Sequence, residues 1–222
     1  MSKKIGIKTW IRILSSPKEA IEEITSIDTR QGIFLLSYIL GFAFLFELSI
    51  IYRLGKYFPS CSLLLWVVVL SPFIGYLMIN LLSYSIHSLS RWINNKTGFL
   101  RIRACVMWAK LPLLGVVILD LILLGLLDQA LFQEYPTIFT SERCPVCIFT
   151  IFGKLAFLLW GLYILYQTLH HIQGCSYKKA IFEIVVSLLV FALIVFVIQM
   201  AFYPEYINFF DAPTLTMLLK KG

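Results

Sequence analysis

Two groupings in this chain have residue types and spacings suited to chemistry. The first is Cys144-Pro145-Val146-Cys147, because two thiols at Cys-X-X-Cys spacing can join reversibly and one is stabilised as the thiolate. The second consists of charges embedded in apolar sequence: Glu47, Asp120 and Lys154. An ionised Asp at bilayer depth costs about 2.5–3.5 kcal/mol even on the lenient insertion scale, so Asp120 is expected to face protein and to need a partner. At a rise of about 1.5 Å per residue, Glu47 lies roughly one turn, and Lys154 roughly two turns, from the same end of the expected bundle. The three are expected to form a buried polar cluster in which Lys154 bonds Asp120, Glu47 or both. Gly161, seven residues after Lys154 on its face, would let a neighbouring helix approach.

The ordinary reading of such a cluster is an interhelical brace, with Lys154 and Glu47 partly reaching outward; its rival is a proton or cation relay. The cysteine pair reads as a loop staple or two free thiols, with a membrane thiol-disulfide oxidoreductase as the alternative. An electron relay would need a second pair, and only Cys61 is expected on the same side of the membrane as Cys144 and Cys147. No metal site or cofactor is expected, since His170 and His171 fall across the membrane from the cysteines and zinc needs four ligands. No phosphate loop, nucleophile triad or histidine metal motif is visible, which removes the hydrolase classes.

The elements that would position these groups follow from composition. With 222 residues, 59% of them hydrophobic and 14% charged, the chain carries too much apolar surface for a soluble domain of its size. The net charge of +7 is spread between apolar segments, as in proteins oriented against anionic lipid, so no nucleic-acid partner is expected. Ile7, Trp10, Ile11 and Leu14 recur at helical spacing opposite most of Lys3, Lys4, Lys8 and Arg12, the pattern of an interfacial helix. Lys3, Lys4, Lys8, Trp10 and Arg12 are therefore assigned to the lipid surface. A second short helix is expected from Pro17, with Ser16 as its cap and Glu19 as capping-box partner, and with Ala20, Ile21, Ile24 and Ile27 as its apolar stripe. It should also lie on the membrane.

Five segments then approach the roughly 20 apolar residues that a bilayer core requires: 32–52, 62–86, 111–127 with an extension through 105–108, 148–169 and 181–203. Pro72 is expected to kink the second. Lys and Arg crowd the N-terminal segment and the second and fourth loops, which places the N-terminus in the cytoplasm and the C-terminal tail outside. The sequon at Asn95 then faces the cytoplasm.

Three stretches carry a family likeness. They are Trp10 through Pro17 and Ala20 to Ile24, then Gly98-Phe-Leu-Arg101-Ile-Arg103 with Leu111-Pro112, and finally Trp160 with Gly174-Cys-Ser-Tyr-Lys178-Lys179-Ala180. In order and topology the chain resembles the Yip-domain family, the Ypt-interacting proteins and their bacterial relatives, and the lead-in resembles the bacterial branch. The resemblance implies a five-span membrane protein with a cytoplasmic N-terminus. Eukaryotic members act in vesicle trafficking through Rab-type GTPases and reticulon-like partners. The acidic, aromatic and Gly-Pro motifs of that branch are not visible here, so GTPase binding is not carried over.

The expected architecture is thus all-α and integral to the membrane, a five-span helical bundle preceded by short amphipathic surface helices. Residues 1–30 form the cytoplasmic segment, 31–203 the membrane domain and 204–222 the outer tail. The expected role is non-catalytic membrane organisation, trafficking or assembly, through anionic headgroups and through other membrane proteins or self-association, in a bacterial inner membrane. A small transporter using Glu47, Asp120 and Lys154 is the alternative from another class.

Overall fold

A computed structural model describes residues 6–93, 97–127, 130–133 and 144–202. The expected outer tail 204–222, the sequon at Asn95, and Lys3 and Lys4 lie outside the described residues. Among those described there is no strand, and five helices are long and apolar enough to cross a membrane.

The chain begins with a helical hairpin, α1 (Ile7–Ser15) and α2 (Pro17–Ile27). Pro17 opens α2, where its missing N–H costs nothing. The expected capping box is absent: Ser16 makes no side-chain cap bond, and Glu19 instead accepts from the Arg12 guanidinium at 2.7 Å. The spans follow as α3 (Ile33–Ile51), α4 (Ser60–Trp92), the broken pair α5 (Phe99–Trp108) and α6 (Leu113–Leu127), then α8 (Cys144–Gln173) and α9 (Tyr177–Phe202). A short α7 (Ala130–Gln133) sits between the third and fourth spans.

The second and third spans, like the fourth, are longer than their hydropathy suggests. The second continues to Trp92, and the third begins at Phe99, well before the expected extension. Both gain their extra turns on the hairpin side. The third is interrupted where Pro112 has no N–H to offer the Trp108 carbonyl. Leu111 N takes that carbonyl at 3.1 Å, and tight i to i−3 bonds carry the chain through to Gly115. Pro72, by contrast, is held within a continuous α4, where the adjacent Ser71 hydroxyl donates to the Val67 carbonyl.

α3 and α4 make the closest approach in the bundle. A Cβ added at Gly41 would lie 1.9 Å from the Ser71 carbonyl oxygen, and one added at Gly75 would lie 1.8 Å from that of Ser37. Ser37 and Gly41 on one helix thus face Ser71 and Gly75 on the other, small residues four apart on both sides of a backbone-to-backbone contact.

The hairpin departs from the lipid-facing expectation. Ile13, Ala20, Ile21 and Ile24 are fully buried in a core shared with α5, including Ile102 and Trp108, and with Leu165 and Leu169 of α8. Trp10 meets Trp108 edge to face at 4.6 Å, and Gly32, at φ +88°, passes beneath both rings. Arg12 pairs with Glu19 and Glu23 inside the hairpin, while His171 at the end of α8 contacts Glu22 at 2.7 Å. Trp10 and the α2 stripe, read as lipid-facing, find apolar protein instead, joined by Ile13, which lies outside the expected stripe, and each buried Ile contributes about 1.5–3 kcal/mol to holding the hairpin there. Lys8 and Ile11 remain exposed.

Trp10→Ala is expected to weaken this docking by about 2 kcal/mol. Tryptic cleavage at Lys8, Arg12 and Lys18 should then accelerate more than tenfold, with little change in the unfolding temperature of the spans. Unchanged cleavage would show that the ring pair does not hold the hairpin.

Candidate functional site

The cluster is built by α3, α6 and α8 at the end of the bundle away from the hairpin. Glu47 is four residues from the end of α3, and Asp120 is at the middle of α6, where Val116, Asp120, Leu123 and Leu127 mark the buried stripe. Lys154 enters from α8. Small residues close the gap: a Cβ at Gly115 would lie 2.4 Å from the Phe157 ring, and one at Gly153, beside Lys154, would lie 2.8 Å from Leu119, beside Asp120. Further along the same helix pair, Gly161 lies under the Ala109 carbonyl, 2.9 Å from where its Cβ would be.

Lys154 stands between the two carboxylates. Its Nζ donates to Glu47 Oε1 at 2.5 Å and is in ion-pair contact with Asp120 Oδ1. The three are not equally sheltered, with side-chain exposures of 0% for Asp120, 15% for Lys154 and 36% for Glu47. Asp120 Oδ2 is sealed from solvent and has no hydrogen-bond donor among the described residues. One cation therefore serves two acids, and the more buried acid depends on it most. This arrangement can lock three helices or pass a proton between carboxylates. Among the described residues no group of three His, Cys, Asp or Glu side chains could hold a metal ion.

Cys144 and Cys147 lie in the first turn of α8, and their side chains are outside the described residues. Cys61 is exposed and free, and Cys105 is buried and free.

A second polar node, not anticipated from the sequence, lies at the hairpin end. Glu183 of α9 is 1% exposed and accepts from the Ser90 hydroxyl at 2.9 Å and from Gln173 Nε2 at 2.8 Å. It ties together the ends of α4, α8 and α9. Cys175, in the turn between α8 and α9, donates to Gln173 Oε1 at 3.3 Å, and burial, with the Glu183 charge adding to it, pushes its thiol pKa up. The sequence signal was a carboxylate one turn beyond Lys178 and Lys179 at the threshold of an apolar span.

The Yip1 domain family model matches residues 11–199, from the hairpin through the last span. The chain belongs to the Yip1 family. It is a multi-pass integral membrane protein. No curated protein and no solved structure matches it. Within the Yip1 domain the charge cluster joins the first, third and fourth spans, and the Glu183 node joins the second, fourth and fifth. Each span is thereby secured to others by at least one buried polar contact.

Proposed function

We propose that this Yip1-domain protein is a non-catalytic organiser or assembly factor that holds a cytoplasmic platform at a fixed position on a membrane bundle. The observation that carries this reading is the docked hairpin. Its apolar stripe is spent on α5 and α8, yet Lys8 and Ile11, the latter 62% exposed, still face outward. That face of α1, carrying one cation unpaired among the described residues and an exposed apolar side chain at the membrane surface, suits contact with anionic headgroups and with membrane proteins that approach there. An apolar groove of about 780 Å³ between α3, α4 and α9 adds surface of the same character within the bundle.

The proposal includes a bacterial inner membrane, the N-terminus in the cytoplasm, 1–30 as the platform, 31–203 as the membrane domain and 204–222 as a tail outside. The charge count supports this orientation, and the Trp10, Pro17 and Ala20 lead-in supports the bacterial branch.

The test is amide hydrogen exchange of residues 7–15 in the full chain, in nanodiscs of neutral or anionic lipid. A basic residue at an anionic surface contributes about 1 kcal/mol, so exchange should slow about fivefold or more in the anionic bilayer. The double variant Lys8→Glu/Ile11→Asp should lose that slowing. Equal exchange of the wild-type chain in both bilayers would sink the headgroup role.

A relay is the second reading, favoured by the full burial of Asp120 beside a lysine shared with Glu47. It requires proton or cation flux in proteoliposomes that Asp120→Asn abolishes. The oxidoreductase alternative requires quinone reduction that Cys144→Ser abolishes.

A further inference from the structure

Arg103 of α5 is 8% exposed, yet no described carboxylate lies within ion-pair distance of it. Its Nε is sealed from solvent without an acceptor. A buried guanidinium N–H without an acceptor is costly, and the other deeply buried charges here, Asp120 and Glu183, both have partners. His87 of α4 shows the same deficit, since its Nδ1 is also sealed and unpartnered. The two converge on one side chain. The guanidinium carbon of Arg103 lies 5.9 Å from the Phe99 ring centre, and the His87 ring meets the same ring edge to face at 5.8 Å. The ring face attracts the cation but offers no lone pair to its N–H groups.

The level of the pair in the membrane says what could answer it. The third span runs 29 residues with a break before Pro112, longer than the roughly 20 residues that a hydrocarbon core of about 30 Å requires, so its ends stand among headgroups. Arg103, four residues from the start, is about 6 Å in, where the hydrocarbon gives way to phosphate. A planar guanidinium fork matches two phosphate oxygens, and basic pockets between helices at a membrane surface recruit anionic headgroups. We infer that Arg103 binds a phosphate group at the hairpin-side surface, supplied by an anionic phospholipid or by soluble phosphate. This site is separate from the outward face of the hairpin, and the Lys8→Glu/Ile11→Asp variant leaves it in place.

The test is thermal unfolding of the full chain in uncharged detergent with added phosphatidylglycerol, phosphatidylcholine or inorganic phosphate. Near 100-fold above the dissociation constant, phosphatidylglycerol should raise Tm by about 5 °C or more over phosphatidylcholine. Arg103→Gln should lose most of that increment, whereas Arg101→Gln, which changes an exposed neighbour, should keep it. An equal rise with inorganic phosphate identifies the source as soluble phosphate, and no rise with it identifies the lipid headgroup. Should Arg103→Gln fail to fold, Arg103→Lys is read instead, and its phosphatidylglycerol titration midpoint should move at least about fivefold upward because the fork is lost. An undiminished increment in Arg103→Gln, an unmoved midpoint in Arg103→Lys, or no rise with either phosphate source overturns the site.

Discussion

Lys154→Met is expected to destabilise the protein by about 3–5 kcal/mol, because it leaves two carboxylates without the cation they share, one of them fully buried. Removing one member of a buried pair exposes the full desolvation penalty of what remains. Replacing Asp120 as well should therefore recover much of the loss: Asp120→Leu/Lys154→Met leaves only Glu47, which at 36% exposure can turn outward. The measurement is a double-mutant cycle on unfolding in detergent. A coupling of at least about 1 kcal/mol is expected, and additive losses would show that Lys154 and Asp120 do not act as a pair.

Gly41→Ala should be severely damaging to the bundle. The new Cβ would sit 1.9 Å from a backbone oxygen of α4, an atom that no side-chain rotation can move. The helices must separate, forfeiting contact along their length, and a loss above about 3 kcal/mol is expected, beyond ordinary overpacking. Gly75→Ala should behave alike, and the double variant should cost less than the sum, since one separation relieves both clashes. Gly125→Ala is the control. Nothing lies within 4 Å of its added Cβ, so the alanine should be neutral or stabilise helix α6 by about 0.5–1 kcal/mol. Comparable losses at Gly41 and Gly125 would contradict the close contact.

The parts legible in the sequence are those governed by length and depth. Five apolar runs declare five spans, and helix rise alone suffices to bring positions 47, 120 and 154 to one end of a bundle. The hairpin shows the limit of a periodicity argument. The spacing of Trp10 in α1 and of Ala20, Ile21 and Ile24 in α2 says which face is apolar but not whether lipid or Trp108 will cover it, and in α1 it selects Ile11, which stays exposed, over the buried Ile13. Ser37 with Gly41 and Ser71 with Gly75 were visible as small residues four apart, but their meaning depends on two helices crossing at the same height, which neither segment states alone. Glu183 escaped notice although the expected fifth span, 181–203, already contained it, because its partners Ser90 and Gln173 stand on two other helices whose ends extend beyond their apolar runs. The third span was read short because Arg101 and Arg103 look like a boundary, whereas α5 buries Arg103 and continues through it.

The contact between Glu22 and His171 joins residues 149 apart in the chain. During synthesis at about 5–20 residues per second, the hairpin emerges about 7–30 s before the end of α8 exists to receive it. Until α5 emerges, Ile13, Ile21 and Ile24 lack most of their protein cover, and that cover stays incomplete until the end of α8 follows; the nearest apolar phase is the bilayer into which the first spans are being inserted. Docking is thus a late event in biogenesis. It registers that the fourth span has been inserted with its end on the correct side, since a misoriented α8 would carry His171 to the opposite face and leave the hairpin undocked and open to proteolysis.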